Sequence, residues 1–118
     1  MRVLICGDRH WENREAIRSW LAKLQDWGYD TVIEGGAKGA DRIAEQEARL
    51  MGFTVIEFPA EWDLYGRAAG PIRNKQMIVE GKPELVVAFH SDITQSKGTA
   101  NMVSQARKAG IKAIVVDK

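Results

Sequence analysis

The sequence has a single cysteine, almost no net charge and no long hydrophobic run. Cys6, the lone thiol, cannot form a disulfide within the chain, which fits a reducing compartment. A net charge of +1 provides no overall field that would attract nucleic acid or a membrane surface. The apolar run near the start, Val3–Cys6, is too short for a signal peptide or a membrane span. We therefore predict a cytoplasmic protein without a membrane partner.

No repeat, linker or low-complexity segment interrupts the chain. With 118 residues, 45% hydrophobic and 28% charged, it suits one folded domain, which we place over residues 1–118. Short apolar runs alternate with segments of helical periodicity, which predicts a parallel sheet with helices on both faces. We predict a Rossmann-like α/β domain with the strand order 3-2-1-4-5. The five predicted strands are Val3–Cys6, Thr31–Ile33, Phe53–Phe58, Leu85–Phe89 and Ala113–Val116.

The chain also lacks the best-known phosphate-binding motifs. Its glycine-rich stretch EGGAKGAD, Glu34–Asp41, contains neither Gly-x-x-x-x-Gly-Lys-Ser/Thr nor Gly-x-Gly-x-x-Gly. The stretch nevertheless joins a predicted strand to a predicted helix, where glycines let a phosphate or a ribose approach the backbone. Asp41 in the first helical turn could cap the helix or accept a hydrogen bond from a ribose hydroxyl. A plain glycine turn is the alternative interpretation.

Three loops at the carboxyl ends of predicted strands are rich in glycine and polar residues. Ligands of doubly wound sheets bind beyond these ends, where the strand order reverses. The loops follow strands one, two and four, and the longest irregular stretch, Ala60–Gln76, lies close enough in the fold to add Arg73. The predicted ligand-binding residues are Gly7, Asp8, Arg9, Gly35, Gly36, Ala37, Lys38, Gly39, Asp41, Gly70, Arg73, Asn74, Gly98, Thr99 and Asn101.

Arg73 follows Pro71, which is expected in the first turn of a helix. A positive side chain is unfavourable at a helix start, and an anionic ligand in front of the helix would remove the conflict. A solvated surface arginine is the simpler alternative for Arg73 alone.

Other residues give weaker signals. His10 and His90 lack metal-ligand spacing, and neither a Ser-His-Asp arrangement nor paired carboxylates stand out, so we predict no metal and no cofactor. Trp11 and Trp62 lie in predicted loops beside the site, where either could stack on a base or simply pack.

Three segments together resemble the YspA-type branch of the SLOG superfamily. They are GGAKGADRIAEQEARLMG, AAGPIRNKQM and KGTANMVSQARKAGI, and the similarity extends over nearly the whole chain. The resemblance implies a Rossmann-like fold that binds a nucleotide or a nucleotide-derived signal. It also implies that Gly35, Gly36, Gly39 and Asp41 form a phosphate–ribose loop.

A more distant resemblance is to the LONELY GUY phosphoribohydrolases, which cleave the N-glycosidic bond of nucleoside monophosphates. Arg73, four residues before Met77, matches the motif arginine of that family. The family's Pro-Gly-Gly-x-Gly-Thr loop would fall on TQSKGTANM, where Gly98 and Thr99 match but the Pro-Gly-Gly residues and the following glutamates are absent. Arg73 and Asp41 are the candidate catalytic residues if the chain is a hydrolase.

We predict that the protein binds a nucleotide or a nucleotide-derived metabolite as a sensor or sequestering module. The alternative is a hydrolase that cleaves the N-glycosidic bond of a nucleoside monophosphate or a related ligand. A DNA-binding protein, like the superfamily's DNA-processing members, is disfavoured by the near-neutral charge and the lack of a basic stripe. The predicted partner is thus a small molecule and not nucleic acid, and the resemblance together with the loop aromatics suggests a homodimer.

Overall fold

Five parallel strands form one sheet at the centre of the structure. The computed structural model describes all residues, 1–118. The strand order is β3-β2-β1-β4-β5, which confirms the predicted fold class and order. Runs such as VLIC and LVVAF form central strands because both faces of the sheet are covered. The strands are β1 (Arg2–Gly7), β2 (Thr31–Glu34), β3 (Thr54–Glu57), β4 (Leu85–Phe89) and β5 (Lys112–Val116).

Helices connect the strands and cover both faces of the sheet. Asn13 caps the first of them, because its side chain accepts a hydrogen bond from the N–H of Ala16 at 3.1 Å. None of the helices has the length and apolar character needed to cross a membrane. The helices are α1 (Arg14–Asp26), α2 (Ala40–Leu50), α3 (Trp62–Tyr65), α4 (Ala69–Val79) and α5 (Lys97–Lys108).

The stretch Ala60–Gln76, which the sequence predicts to be mostly irregular, is largely helical. α3 leads into a 3₁₀ turn at Gly66–Ala68, and α4 begins directly after that turn. The prediction of an irregular connection is wrong for Trp62–Ala68, which forms α3 and the 3₁₀ turn. The helix predicted around Pro71 is present as α4, with Pro71 in its first turn, where proline is tolerated.

Successive residues of each strand enter two separate cores, one on each face of the sheet. Val3 packs with the buried residues of α1 and α2, whereas Leu4 packs with those of α4 and α5. Trp11 is buried in the first core, with its ring centroid 5.6 Å from that of Phe89. This contact favours packing over base stacking as the role of Trp11.

The strand order reverses between β1 and β4, which are neighbours in the sheet. From β1 the chain proceeds to β2 and β3 on one side, and from β4 it proceeds to β5 on the other side. The last residues of β1 and β4, Gly7 and Phe89, are register partners. The loops that follow them therefore diverge and leave a crevice at the carboxyl edge of the sheet.

Candidate functional site

A cavity of about 650 Å³ occupies this crevice. Its walls include the loops after β1 and β4 and the first turns of α2, α4 and α5. Cys6 contributes to the lining, and burial raises the pKa of its thiol, so that it acts as an apolar side chain here. Three helix N-termini thus converge on one cavity, and the unpaired N–H groups and partial positive charge of such termini favour an anion.

Arg73 reaches from α4 to the glycine-rich turn after β2. Its Nη1 donates hydrogen bonds to the carbonyl oxygens of Gly35 at 2.8 Å and Phe58 at 3.5 Å, and its Nε donates to the side chain of Asn74 at 3.1 Å. Its Nη2 has no acceptor within the protein. Arg73 is half-buried, and no carboxylate oxygen lies within 4.0 Å of its nitrogens. Its charge is therefore available to a ligand in the cavity.

A network of amides between α4 and α5 holds Arg73 in place. Asn74 is buried, and its Nδ2 donates to the carbonyl of Gly98 at 3.2 Å and to Oδ1 of Asn101 at 3.1 Å. The same oxygen of Asn101 accepts a hydrogen bond from Gln105 at 2.7 Å. Asn101 therefore supports the cavity wall through Asn74 and does not line the cavity.

Asp8 and His90 place polar groups on the wall formed by the loops after β1 and β4. The carbonyl of Asp8 accepts a hydrogen bond from the N–H of Ala40 at 3.1 Å, which ties this loop to the start of α2. One carboxylate oxygen of Asp8 lies 3.9 Å from Nε2 of His90. Nδ1 of His90 accepts a hydrogen bond from the N–H of Asp92 at 2.9 Å, so a neutral ring carries its proton on Nε2. Asp8 and His90 thus offer an acceptor and a donor to a ligand.

Asp41 is a buried carboxylate in the first turn of α2. Its Oδ2 accepts a hydrogen bond from the N–H of Ala37 at 3.2 Å, whereas its Oδ1 has no hydrogen-bond partner. Burial raises the pKa of Asp41 to about 6, although backbone hydrogen bonds and the charge of Arg73 oppose the shift. The group can therefore exchange a proton near neutral pH. Burial also raises the pKa of Glu34, the last residue of β2, which lies outside the cavity.

The glycines of the turn after β2 lie against the protein's own atoms. A Cβ on Gly35 would collide with the guanidinium of Arg73, and one on Gly36 would press on the carboxyl group of Glu57. Gly39 has a φ of +74° and packs against the backbone of the loop after β1. The close approach that these glycines permit is therefore made by the chain itself.

The cavity carries more positive than negative side chains, although the chain as a whole is nearly neutral. Arg9, Arg73 and Lys97 line it, together with the acids Asp8 and Asp41. These side chains give the lining a small positive charge, to which the partial charges of the converging helix N-termini add.

Comparison with known proteins identifies the family. Residues 1–65 match the YspA, cpYpsA-related SLOG family. The chain is also 38% identical to the Gene 61 protein of Mycobacterium phage D29, over 96% of this chain and 94% of that protein. The chain belongs to the SLOG family of YspA. This confirms the resemblance that the sequence motifs indicate.

A solved structure shows the same fold as this SLOG domain. The DNA processing protein A (DprA) of Streptococcus pneumoniae is similar with a TM-score of 0.73 over 97% of this chain, at 17% sequence identity. The chain spans about half of that protein's length, 49%. At this identity the similarity concerns the fold alone.

Most of the residues predicted from the sequence lie together around the cavity, and their binding role stays a prediction. The five predicted residues that do not line it are Gly35, Gly36, Lys38, Gly39 and Asn101. The ten that line it are Gly7, Asp8, Arg9, Ala37, Asp41, Gly70, Arg73, Asn74, Gly98 and Thr99.

Sequence reasoning missed several residues of the lining. His90 directly follows β4, so the rule that ligands bind at the carboxyl ends of strands could have identified it. Met77 and Met102 come from the core faces of α4 and α5, and helical spacing alone does not distinguish such residues from other core positions. Trp62 lines the cavity, and base stacking by Trp62 stays a prediction.

Proposed function

We propose that this cavity binds a nucleotide or a nucleotide-derived metabolite, and that the protein acts as a sensor or sequestering module. The observation that carries the proposal is Arg73, a half-buried cation with no carboxylate within 4.0 Å and with a free Nη2. A half-buried charge without a counter-charge in contact is costly, and an anionic ligand would offset that cost. A guanidinium can bind two phosphate oxygens at once, which favours phosphate among the anions.

The starts of α4 and α5 favour phosphate at the same place. α4 has no side-chain cap, and Gly70 in its first turn lines the cavity, so the partial positive charge of this helix start faces a ligand there. Ser96 caps α5 through the N–H of Thr99 at 3.1 Å, but the N–H groups of Lys97 and Gly98 have no partner within the helix. A Cβ at Gly98 would meet no atom within 4 Å, so a ligand can approach the backbone there.

The rest of the lining suits a nucleoside. Asp8 and His90 can accept from and donate to ribose hydroxyls. Met77, Met102 and the exposed ring of Trp62 supply apolar surface for a base. The cavity volume of about 650 Å³ lies within the usual range for small-ligand sites.

Family membership supports a nucleotide-type ligand over a nucleic acid. The resemblance to the SLOG superfamily implies such ligands, whereas the name of the structural neighbour, DNA processing protein A, raises DNA as another partner. Binding of a DNA backbone requires many phosphate contacts by basic side chains, and a net charge of +1 does not favour this.

Asp41 supports the alternative of a hydrolase. Its pKa of about 6 and its unpartnered Oδ1 place a carboxyl group that can exchange a proton in the wall beside Arg73. Such a group could assist departure of a base from a ribose, with Arg73 holding the phosphate. This alternative uses the same cavity and differs only in whether the ligand is left intact.

A thermal-shift screen followed by calorimetric titration tests the proposal. The ligands are AMP, cyclic AMP, ADP-ribose and NAD, with adenosine as the control that lacks phosphate. We expect at least one nucleotide to raise the melting temperature in a saturable manner, because it binds the folded state, and adenosine to have little effect. Chromatography of the recovered ligand separates the two functions, since a sensor leaves it intact and a hydrolase releases the base.

Two results would contradict nucleotide binding at this cavity. One is an equal shift with adenosine and its phosphates, since the guanidinium would then contribute nothing. The other is binding only of a DNA oligonucleotide, with an affinity that falls steeply as salt is added.

A further inference from the structure

A second group of polar side chains lies outside the cavity, at the carboxyl ends of β2 and β3. Glu34 and Glu57 end these strands and are register partners, so their side chains share one face of the sheet. α2 covers that face and contributes Glu45. One carboxylate oxygen of each residue lies within 4.8 Å of the other two. None of the three glutamates lines the cavity described above.

These three carboxylates have no cation to balance them. None takes part in an ion pair of the chain. Glu34 has an exposed fraction of 0%, and its Oε1 accepts a hydrogen bond from the N–H of Gly36 at 2.8 Å. Its Oε2 is buried without any partner. A buried oxygen without a partner costs free energy, and neighbouring carboxylates repel one another, so a bound cation would relieve both costs.

We propose that Glu34, Glu45 and Glu57 bind a divalent cation that prefers oxygen ligands, such as Mn²⁺, Mg²⁺ or Ca²⁺. These ions hold carboxylate oxygens at about 2.0–2.6 Å, so oxygens on opposite sides of an ion are about 4–5 Å apart. One carboxylate oxygen from each glutamate lies within 4.8 Å of the other two, which agrees with that spacing. Glu45 is half-buried and Glu57 is exposed, which leaves room for water ligands. The group contains no histidine or cysteine, which disfavours Zn²⁺.

The sequence predicts no metal, because its histidines lack metal-ligand spacing. The proposed glutamate site departs from that prediction. The glutamates are far apart in the sequence and meet only because β2 and β3 pair in register beneath α2. The cation would bind near Gly36, whereas Arg73 contacts the neighbouring Gly35 from the cavity side. The two proposed sites use different residues, so each can fail without the other.

The probe is Mn²⁺ alone, titrated into protein that has been stripped of metal with a chelator. Calorimetry and the paramagnetic resonance signal of free Mn²⁺ measure binding. We expect saturable binding, weakened about tenfold or more by Glu57→Gln and by Glu45→Gln. Glu80→Gln is the matched control, since Glu80 is exposed and lies outside the group, and we expect it to leave the affinity unchanged. Circular dichroism checks that each variant is folded.

Equal Mn²⁺ affinity in the wild type, Glu45→Gln and Glu57→Gln would overturn the proposal, because the ion would then bind elsewhere. Absence of binding up to about 10 mM Mn²⁺, Mg²⁺ or Ca²⁺ would also overturn it, since even weak sites of this class bind below that concentration. Displacement of Mn²⁺ by Mg²⁺ or Ca²⁺ from the wild type would support it.

Discussion

The two ends of α2 hold their buried acids in opposite ways. In the C-terminal half, Glu47 accepts hydrogen bonds from Arg14 at 2.7 Å and Arg18 at 2.8 Å, and these partners lower its pKa. At the N-terminal end, Asp41 has no ion pair, and burial raises its pKa to about 6. Both side chains are shielded from solvent, but Glu47 is covered by two half-exposed arginines near the surface, whereas Asp41 is buried deeply without a cation.

This contrast separates a structural end of the helix from a candidate functional end. Glu47 ties α2 to α1 through cations, and an acid that only stabilises the fold is expected to be paired in this way. An unpaired buried acid lowers stability, and such groups concentrate at functional sites, where a proton or a ligand completes them. The glycines that flank the helix also differ, in how tightly they are packed. Gly39, before α2, lies against the backbone after β1, whereas a Cβ at Gly52, after α2, would meet no atom within 4 Å.

The largest effect is expected from alanine at Gly39. Gly39 and Gly52 have φ angles of +74° and +88°, so alanine costs about 1–2 kcal/mol at either position. At Gly39 the new Cβ also collides with the backbone after β1, which adds about 1–3 kcal/mol. We expect Gly39→Ala to lower the free energy of unfolding by about 3 kcal/mol, and Gly52→Ala by about 1 kcal/mol. Urea denaturation measures both, and equal losses would contradict the close packing at the N-terminal end.

The second prediction concerns the pH dependence of stability at the same end. The folded pKa of Asp41, about 6, exceeds its ordinary value of 3.8, so the protonated group favours folding. That contribution is complete below about pH 4, is lost as the pH rises through about 6, and amounts to about 3 kcal/mol. Asp41→Asn does not titrate. We therefore expect its unfolding free energy, relative to the wild type, to rise by most of this amount between about pH 4 and pH 7.5. Urea denaturation across that range would refute the prediction if the difference stayed constant.

A smaller loss is expected at the paired acid. Glu47→Gln removes the charge that Arg14 and Arg18 share; because both arginines are half exposed, we expect the free energy of unfolding at neutral pH to fall by only about 1 kcal/mol. The pKa of Glu47 is lowered in the folded state, so its contribution is present above the ordinary glutamate range and is lost as the pH falls through the folded pKa. The stabilising contribution of Glu47 is thus lost on acidification, whereas that of Asp41 is lost as the pH rises. Glu12→Gln, an exposed acid without an ion pair, is the control, and an equal loss there would remove the distinction.

The sequence predicts the sheet well because its strands have an unambiguous pattern. Apolar runs such as VLIC and LVVAF occur where both faces of a parallel sheet are buried. The helical segments between them require right-handed crossover connections, which restrict the fold to a few topologies. Prediction fails at Trp62–Ala68, which forms α3 and a 3₁₀ turn where the sequence predicts an irregular connection. These pieces have only 4 and 3 residues, too few to show a helical period in the sequence.

The candidate site is less predictable, because its properties arise from contacts between distant residues. The sequence indicates which loops meet at the carboxyl edge, but it does not indicate that Arg73 bonds to Gly35, 38 positions away. The proton position on His90 depends on the N–H of Asp92, and the unpaired state of Asp41 depends on the absence of a neighbouring cation within bonding distance. These features follow from the packed structure.

The most direct test of nucleotide binding is a calorimetric titration of Arg73 variants with the nucleotide that gives the largest thermal shift. Arg67→Ala is the matched control, since Arg67 is an exposed arginine of the preceding turn that does not line the cavity. We expect Arg73→Ala to weaken binding about tenfold or more, Arg73→Lys to weaken it less, and Arg67→Ala to leave it unchanged. Circular dichroism of each variant without ligand checks the fold. Equal affinities for the wild type, Arg73→Lys and Arg73→Ala would contradict the proposal that this guanidinium binds the phosphate.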